Sequence, residues 1–318
     1  MFEKAGMLFL YVETPLHAGS GTSLGIVDLP IQRERTTGYP IVQASGLKGC
    51  LREVTQKRDE RKTRIVFGPE PGKAHEHAGA ISVGDARILL FPVRSLLGVF
   101  AWVTSKDVLA RFKRDAHAAG LKVDWAPVGP SADNEAIVAG DVLVSDGKIV
   151  LEEFAFATKY ADSVQRIADW ISSNALPTGD EYGYWREALP KRLVVLPENA
   201  FRDFVQFSTE IISRTRLDDV TKTVAGGALW TEEHLPSDTL LYAPLFASKP
   251  RVPEENLPDD WKEEAKDRSK ASHVLEFVKE CVDGKRIQLG GDSTVGRGFV
   301  AVRMCIPIKK DEGGEKDA

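Results

Sequence analysis

The sequence predicts an α+β fold built around a ferredoxin-like (RRM-like) βαββαβ unit. Two observations support this prediction. The first third of the chain alternates strand and helix periodicity in the order strand, helix, strand, strand, helix. Its first strand is apolar on both faces, as a central strand is, whereas its helices carry a single apolar stripe. This order matches the RNA recognition motif, which needs one further strand for completion.

The first strand and helix are the clearest elements. Met7–Glu13 alternates two apolar sets, with Leu8, Leu10 and Val12 on one face and Phe9 and Tyr11 on the other. After a loop rich in glycine and proline, we expect a helix capped by Ser45. Its apolar residues fall at i, i+3, i+4 and i+7, and they are Leu47, Cys50, Leu51 and Val54.

Two strands and a second helix follow. Ala80–Pro92 and Leu97–Thr104 have strand character, and Ser105 is placed to cap the next helix. The inner face of that helix would consist of Val108, Leu109, Phe112 and Ala116. For the missing fourth strand, the candidates are Asp141–Val144 and Ile149–Ala155, paired as a hairpin.

The second half of the chain is less regular. We predict a short amphipathic helix around Trp170, a helix near 199–207 and a terminal helix whose stripe leads into a strand at Phe299–Ile306. Phe207–Leu217 and Thr239–Phe246 would be the two arms of a long excursion with Gly226–Trp230 at its middle. Taken alone, the pattern favours two ferredoxin-like halves, the second one degenerate.

Composition excludes several classes of protein. The chain has 318 residues with 42% hydrophobic content, which supports a sizeable core. No apolar run approaches the roughly 18 residues of a membrane span, so we expect a cytoplasmic protein. The three cysteines lack CxxC spacing, and His75 and His77 have no further ligand at a suitable spacing. Neither a disulfide framework nor a zinc site is therefore expected.

Charge is distributed unevenly. The net charge is −5, yet 31–64 holds nine Lys/Arg and four Asp/Glu, a local net of +5, while 253–267 holds seven acidic and two basic residues, a local net of −5. One face can thus be basic and another acidic. Phosphate neutralisation needs clustered cations, so the basic segment is the candidate for nucleic-acid contact.

Glycine-rich segments stand at both ends of the chain. They are Thr14–Gly21, the helix start Ser45–Gly49 and Gly290–Phe299. Glycine permits close backbone approach, and a helix N-terminus with nearby cations attracts phosphate. We predict a sequence-independent RNA-backbone track formed by Ser45, Lys48, Gly49, Arg52, Gly296, Arg297 and Gly298. The spacing excludes a dinucleotide-binding GxGxxG motif, and no Walker A motif occurs.

Five motifs taken together resemble the RAMP superfamily of CRISPR effector proteins. They are TPLHAGSG (14–21), GIVDLPIQRE (25–34), SGLKG (45–49), GALWTEEHLP (227–236) and GGDSTVGRGF (290–299). In this order they look like the backbone subunit of the type III-B effector, the Cmr complex. The second and fourth motifs are the more specific part, because the glycine-rich loop is shared by many RAMP proteins.

This resemblance implies a domain organisation. It points to a single domain, 1–308, with one ferredoxin-like core and large insertions described as palm, fingers and thumb. We expect the thumb-like insertion at about 207–248. The charged tail, 309–318, would be disordered.

The resemblance also implies catalysis. The family's backbone subunit is an endoribonuclease that cuts target RNA at regular intervals with a metal ion and an aspartate that matches Asp28. That carboxylate would bind Mg²⁺ or another divalent cation together with the RNA, or help to activate the 2′-hydroxyl. His17 is a candidate general acid or phosphate donor, with a role in holding the glycine turn as the alternative. Glu232 and Glu233 match accessory acidic positions, although a solvated turn is also possible.

A thumb and a set of partners complete the expectation. In the family, a thumb hairpin displaces bases of the guide–target duplex, and Leu229 and Trp230 at the hairpin tip match it. The partners would be a guide CRISPR RNA, a single-stranded target RNA, head-to-tail copies of the chain and other effector subunits, with no membrane.

Three alternative functions remain. They are a non-catalytic binding module, a type III-A counterpart that GALWTEEHLP disfavours, and a stand-alone guide-processing endonuclease.

Overall fold

A computed structural model describes residues 2–218, 220–221, 224–262 and 270–307, so the predicted disordered tail lies outside the described residues. The strands are β1 (Lys4–Val12), β2 (Ile41–Val42), β3 (Ile81–Val83), β4 (Ala86–Arg94), β5 (Phe100–Ser105), β6 (Glu135–Val138), β7 (Lys148–Leu151), β8 (Phe154–Tyr160), β9 (Leu193–Leu196), β10 (Glu210–Leu217), β11 (Val224–His234), β12 (Leu240–Ala247), β13 (Arg286–Gln288) and β14 (Phe299–Cys305). The helices are α1 (Ala44–Gln56), α2 (Glu60–Phe67), α3 (Lys106–Ala118), α4 (Asp162–Asn174), α5 (Gly183–Arg192), α6 (Glu198–Phe207), α7 (Asp259–Lys262) and α8 (Lys270–Val282).

One large mixed sheet organises the α+β fold. Its strand order is β13-β14-β1-β12-β4-β5-β9-β6-β8-β7, with β2 paired to β4 and β3 paired to β12. Most neighbours are antiparallel, but β5 pairs with β9 and β6 with β8 in parallel. The strands β10 and β11 form a separate two-stranded hairpin.

The ferredoxin-like connectivity spans the whole chain. The neighbouring strands β14, β1, β12 and β4, with α1 after β1 and α8 before β14, give the order β1-α1-β4-β12-α8-β14. This is the βαββαβ pattern, and its first and last strands, β1 and β14, come from the two ends of the sequence and pair with each other. The prediction that a hairpin at 141–155 supplies the fourth strand is wrong. The strands β7 and β8 lie at the far edge of the sheet, and β14 fills the position beside β1.

The predicted arms of the excursion need one correction. Residues 240–247 form β12, which pairs with β1 through Lys4–Tyr11 and belongs to the core sheet. The hairpin partner of β10 is β11 instead. The burial pattern explains the difference, because residues 240–243 are all buried, as in a strand with both faces covered.

The core confirms the apolar patterns. Residues 6–12 of β1 are buried on both faces, as predicted. The inner face of α3 is also confirmed, with Val108, Leu109, Phe112 and Ala116 buried and the Ser105 hydroxyl accepting a hydrogen bond from the Val108 amide at 3.4 Å. The Phe112 ring lies edge-on to Tyr242, at 5.0 Å between centroids. None of the described helices is long and apolar enough to cross a bilayer.

The start of α1 differs from the prediction. The helix begins at Ala44, and Ser45 lies exposed inside its first turn and is not the cap. The Asp85 carboxylate, from the turn between β3 and β4, accepts a hydrogen bond from the Ala44 amide at 2.8 Å. A carboxylate there satisfies one of the free amides of the first turn and suits the positive end of the helix dipole.

Candidate active site

The two glycine-rich ends of the chain contact each other directly. The Gly291 amide donates to the His17 carbonyl at 2.9 Å, and the Gly298 amide donates to the Pro15 carbonyl at 3.0 Å. The Phe299 amide donates to the Thr14 hydroxyl at 2.9 Å. The predicted meeting of the two ends is therefore confirmed, and it follows from the pairing of β1 with β14.

Two of these glycines are required by packing. Gly290 has φ +79°, and a Cβ there would lie 2.3 Å from the His17 carbonyl oxygen. Gly298 has φ +72°, and a Cβ there would lie 2.0 Å from the Leu289 carbonyl oxygen. Gly296 also has a positive φ, +77°, but a Cβ there would meet no atom within 4 Å. Only Gly296 of the three therefore has space for an approaching ligand.

Asp28 is exposed but fixed in position. Its Oδ2 accepts hydrogen bonds from the Thr231 amide at 2.8 Å and the Thr231 hydroxyl at 2.9 Å. Its own amide donates to the Thr231 hydroxyl oxygen at 3.0 Å. The backbone hydrogen bond from Thr231, followed by the hydroxyl bond, lowers the pKa of Asp28 below its ordinary value. The carboxylate is thus held ionised and oriented at the surface.

The loop that carries Asp28 continues onto strand β11. The Leu29 amide donates to the Thr231 carbonyl, and the Glu233 amide donates to the Leu29 carbonyl, both at 3.0 Å. This is a short parallel bridge between Leu29 and Glu232. Strand β11 and the Asp28 loop are therefore joined directly through their backbones.

His17 lies behind this unit, half-buried. Its Nδ1 lies 2.7 Å from the Glu233 carbonyl oxygen, so Nδ1–H donates to that carbonyl. A Cβ at position 19 would lie 2.7 Å from Nε2, so glycine at that position makes room for the ring. His17 also packs against His234, with 5.3 Å between ring centroids.

Glu233 is buried in a structural network. Its Oε2 accepts from the Ile31 amide at 3.0 Å, and its Oε1 accepts from Arg33 at 2.5 Å and from the Thr209 hydroxyl at 2.8 Å. Arg33 also donates to the Val205 carbonyl at 2.9 Å. With all of these partners contributed by the protein, Glu233 fixes the fold of the site and is not presented to a ligand.

Glu232 lies on the opposite face of β11 with a different set of partners. Its Oε1 accepts from the Trp230 indole at 2.7 Å, and its Oε2 lies 2.6 Å from the Arg214 Nε. Arg214 also donates to Asp292 at 2.9 Å. The guanidinium therefore joins the thumb hairpin to the C-terminal glycine loop.

Within the described residues, Glu232, His234 and Asp292 could offer three ligand atoms within 4.8 Å of one another. His234 is completely buried, and its nearest described acceptor is the Asp292 carboxylate, 3.5 Å from Nε2 and outside good hydrogen-bond geometry. Burial, with His17 nearby, lowers the pKa of His234, so the ring is neutral. The positive charge between the two carboxylates is already supplied by Arg214, which disfavours a divalent cation at this place.

Leu229 and Trp230 do not form the hairpin tip. They lie within β11, opposite Thr215 and Arg214. Leu229 is 65% exposed, whereas the Trp230 indole is tied to Glu232 on the other face. Side chains alternate along a strand, so Leu229 and Thr231 share one face and Trp230 and Glu232 share the other. Only Leu229 of the predicted pair is available as a base-displacing group.

The predicted basic track is only partly free. Lys48 and Ser45 line a shallow groove of about 290 Å³ with Arg251 and Ser82. Burial, with Arg52 nearby, lowers the pKa of Lys48, and no described residue forms an ion pair with it. Arg52, in contrast, donates to Glu70 at 2.7 Å.

The remaining predicted RNA contacts, Gly49 and Arg297, differ in their exposure. Gly49 is exposed with open space around it, and Arg297 is half-buried at the C-terminal loop without an ion pair among the described residues.

The basic and acidic segments do not form opposed faces. Lys62 of α2 pairs with Asp260 of α7 at 2.6 Å, and Arg61 donates to the Leu257 carbonyl at 3.2 Å. Arg58 pairs with Glu280 at 3.1 Å. The described part of the acidic segment therefore does not form a separate face, because it packs beside the basic helix and neutralises part of it.

Four residues of the site were missed by the sequence reasoning. Thr231 lies inside the GALWTEEHLP motif, but a lone threonine in a strand carries no signal of its own. Arg214 and Asp292 are 78 residues apart, and Arg251 follows a proline in a loop. Only the three-dimensional arrangement shows their partners.

The chain was compared with known proteins. The profile of the RAMP superfamily matches residues 9–301. The CRISPR system Cmr endoribonuclease Cmr4 of Pyrococcus furiosus is 44% identical over 304 residues, which cover 95% of this chain and 96% of that protein. The CRISPR system CMR subunit Cmr4 of Saccharolobus solfataricus is 24% identical and covers 93% of this chain and 94% of its own length.

Solved structures have the same fold. The crystal structure of oligomeric Cmr4 from Pyrococcus furiosus superposes with a TM-score of 0.71 at 35% identity and covers 96% of this chain and 99% of that chain. A chain of a type III-B Cmr-beta complex bound to cognate target RNA gives a TM-score of 0.70 at 22% identity, which covers 95% of this chain and 98% of that chain. At that identity the second likeness supports the fold alone.

A first prediction concerns Glu233. The Glu233→Ala substitution leaves Arg33 and the Ile31 amide without their buried partner, so it should lower the free energy of unfolding by roughly 2–4 kcal/mol. Urea denaturation measures this. The control is Glu53→Ala, whose carboxylate pairs with Lys57 at 3.0 Å on the exposed face of α1 and should cost less than about 0.5 kcal/mol. Equal losses for the two variants would contradict a structural role of Glu233.

A second prediction compares two glycines with similar φ. Gly298→Ala meets the Leu289 carbonyl and should destabilise the protein by at least about 2 kcal/mol, more than the left-handed backbone alone requires. Gly296→Ala has open space and should cost roughly 1 kcal/mol. Thermal unfolding of both variants gives the comparison, and a larger loss for Gly296→Ala would refute the packing argument.

Proposed function

The chain belongs to the RAMP superfamily, and we propose that it is the guide-RNA-binding backbone subunit of a type III-B CRISPR ribonucleoprotein that cuts target RNA at regular intervals in antiviral defence. The support is the 44% identity to a Pyrococcus furiosus protein named as a Cmr endoribonuclease, over nearly the full length of both chains. Such a ribonucleoprotein would work in the cytoplasm.

One observation carries the proposal of cleavage. The Asp28 carboxylate is bound to Thr231, and Leu229 projects from the same face of β11 two residues away. Residues i and i+2 of a strand are about 6.7 Å apart. A side chain that displaces a base and a carboxylate beside the exposed phosphate would therefore stand next to each other.

The residues present fit a divalent cation bound together with RNA. Asp28 uses Oδ2 for Thr231, and no other described residue donates a hydrogen bond to its Oδ1. Mg²⁺ commonly binds one or two carboxylates and completes its shell with water and substrate phosphate. When bound, the ion would neutralise charge on the scissile phosphate. Because its pKa is lowered, Asp28 is a weak base, which favours the electrostatic role over proton abstraction.

His17 is the second group in the proposal. Its Nδ1–H is held by the Glu233 carbonyl, which orients the ring and leaves Nε2 for a proton that can be given to a leaving oxygen. Glu232 and Glu233 are not assigned chemistry, because their carboxylates pair with Arg214 and Arg33.

Guide binding is assigned to the groove of Lys48 and Arg251, with Arg297 and Gly296 of the C-terminal loop. These contacts would reach the RNA backbone and so be independent of base identity. Copies would stack head to tail along one guide, a heterologous arrangement that gives filaments. The oligomeric Cmr4 crystal structure supports self-association. The domain boundaries, a single domain 1–308 with a thumb-like insertion predicted at about 207–248, remain part of the proposal. The thumb itself is assigned to the hairpin of β10 and β11, because β12 belongs to the core sheet.

A non-catalytic binding module is the second candidate. The three hydrogen bonds between Asp28 and Thr231 would also serve as a purely structural anchor of the loop. Measurement of cleavage separates the two functions.

The decisive experiment replaces Asp28. Asp28→Asn keeps an oxygen acceptor for Thr231 but removes the charge, so guide and target binding should persist while cleavage falls by on the order of 100-fold or more. Target cleavage is measured in Mg²⁺ and in EDTA with assembled complexes. Asp133→Asn, in an exposed loop, serves as the control. Normal cleavage by the Asp28 variant, or cleavage in EDTA, would contradict a catalytic role of Asp28 and would favour a purely structural role as the anchor of its loop.

Lys48 allows a separate test of guide binding. Lys48→Ala should weaken binding of two unrelated RNA sequences equally and reduce the slope of log affinity against log salt by roughly 0.7, the value for one lost single-strand contact. Filter binding over a salt series gives the slope. Lys57→Ala, which removes a lysine already paired with Glu53, should leave it unchanged. An unaltered slope for Lys48→Ala would exclude this residue from the RNA track.

A further inference from the structure

We propose that Thr231 is a positioning residue that fixes the Asp28 carboxylate and couples the cleavage site to the thumb strand. The inference rests on the proposed function, because it assigns Thr231 a part in cleavage through Asp28.

The contact between the two residues is reciprocal. The Thr231 amide and hydroxyl both donate to Asp28 Oδ2, at 2.8 and 2.9 Å, and the Asp28 amide donates back to the hydroxyl oxygen at 3.0 Å. A hydroxyl that accepts one bond and donates another fixes both the backbone and the side chain of its partner. The direction of the carboxylate is thus determined from strand β11.

Little else orients the Asp28 side chain. Residues 20–26 are exposed, and both Leu24 and Ile26 extend into solvent. The Asp28 carbonyl accepts from the Ser23 amide at 2.8 Å, which closes the loop but leaves the carboxylate alone. Apart from the backbone amide of Asp28 itself, Thr231 supplies every hydrogen bond that the Asp28 side chain accepts within the described part of the chain.

Neighbouring charges do not replace Thr231. The ionisable groups next to it on β11 are Glu232 and Glu233, and both are buried. Glu232 pairs with Arg214, and Glu233 pairs with Arg33. Neither arginine makes an ion pair with Asp28 in the part of the chain that the structure describes.

The position of Thr231 on the strand links Asp28 to Leu229. Leu229 and Thr231 lie on one face of β11, and the backbone of Thr231 and Glu233 is hydrogen-bonded to that of Leu29. When the thumb strand places Leu229 against the RNA, Thr231 carries Asp28 with it. The position of the cut is then set by the thumb.

The test compares valine and serine at position 231 in complexes assembled with guide RNA. Thr231→Val keeps the shape and β-propensity but removes the hydroxyl, and Thr231→Ser keeps the hydroxyl. We expect valine to lower the cleavage rate at saturating target by roughly tenfold or more, with target affinity and cut positions unchanged. Serine should restore the rate to within about threefold.

A matched control and a structural measurement separate positioning from folding. Thr158→Val removes a hydroxyl bonded to the Gly147 carbonyl at 3.0 Å on the distant strand β8, and it should leave cleavage unchanged. Melting temperatures are measured for all variants. If Thr231→Val unfolds, Thr231→Ala takes its place. A crystal structure of the variant should show the Asp28 carboxylate turned away from β11, and an unmoved carboxylate would overturn the proposal.

A double-mutant cycle shows whether Thr231 acts through Asp28. If it does, the Thr231→Val, Asp28→Asn double variant is no slower than Asp28→Asn alone. Multiplicative losses, or failure of serine to restore the rate, would overturn the positioning role. Failure of the proposed function is distinguishable, because it would appear as normal cleavage by Asp28→Asn itself.

Discussion

The hydrogen-bond network of the buried Glu233 is the interaction on which the rest of the site depends. The Glu233 amide donates to the Leu29 carbonyl, and the Glu233 carbonyl accepts a hydrogen bond from His17. Its carboxylate accepts from the Ile31 amide, Arg33 and Thr209. One residue of the thumb strand thereby fixes the N-terminal loop, the histidine and the end of α6. The buried carboxylate is tolerated because each of its oxygens accepts hydrogen bonds. Removal of any partner would destabilise the fold, because the desolvation of the charge would no longer be offset.

The alternation of side chains along β11 separates structure from chemistry. One face presents Leu229 and Thr231 toward the Asp28 loop. The other face presents Trp230 and Glu232 toward Arg214, whose guanidinium also holds Asp292 of the C-terminal loop. The hairpin is therefore anchored through one face while the other remains available for RNA. This division explains how a two-stranded hairpin outside the main sheet keeps a defined position.

Ion pairs within the chain determine which cationic side chains are free to bind RNA. Much of the basic segment is neutralised within the chain, as in the pairs of Arg52 with Glu70 and Lys62 with Asp260. Lys48 differs because the charge that acts on it is that of another cation, Arg52, and it opens onto a groove shared with Arg251. Local net charge in the sequence thus overstates the basic surface, because partners distant in sequence cancel it.

Elements with a local pattern can be predicted from the residues alone: the doubly buried β1, the stripe of α3 and its Ser105 cap, and the glycines near the two ends. The family can be predicted in the same way, from motifs spread along the chain. Three features required the folded chain: β12 and β14 complete the core sheet, Asp85 binds the first turn of α1, and Thr231 holds Asp28. Asp28 and Thr231 are 203 residues apart. Contacts of that separation leave no periodicity in a single sequence, because they arise from strand pairing and packing that no local pattern encodes.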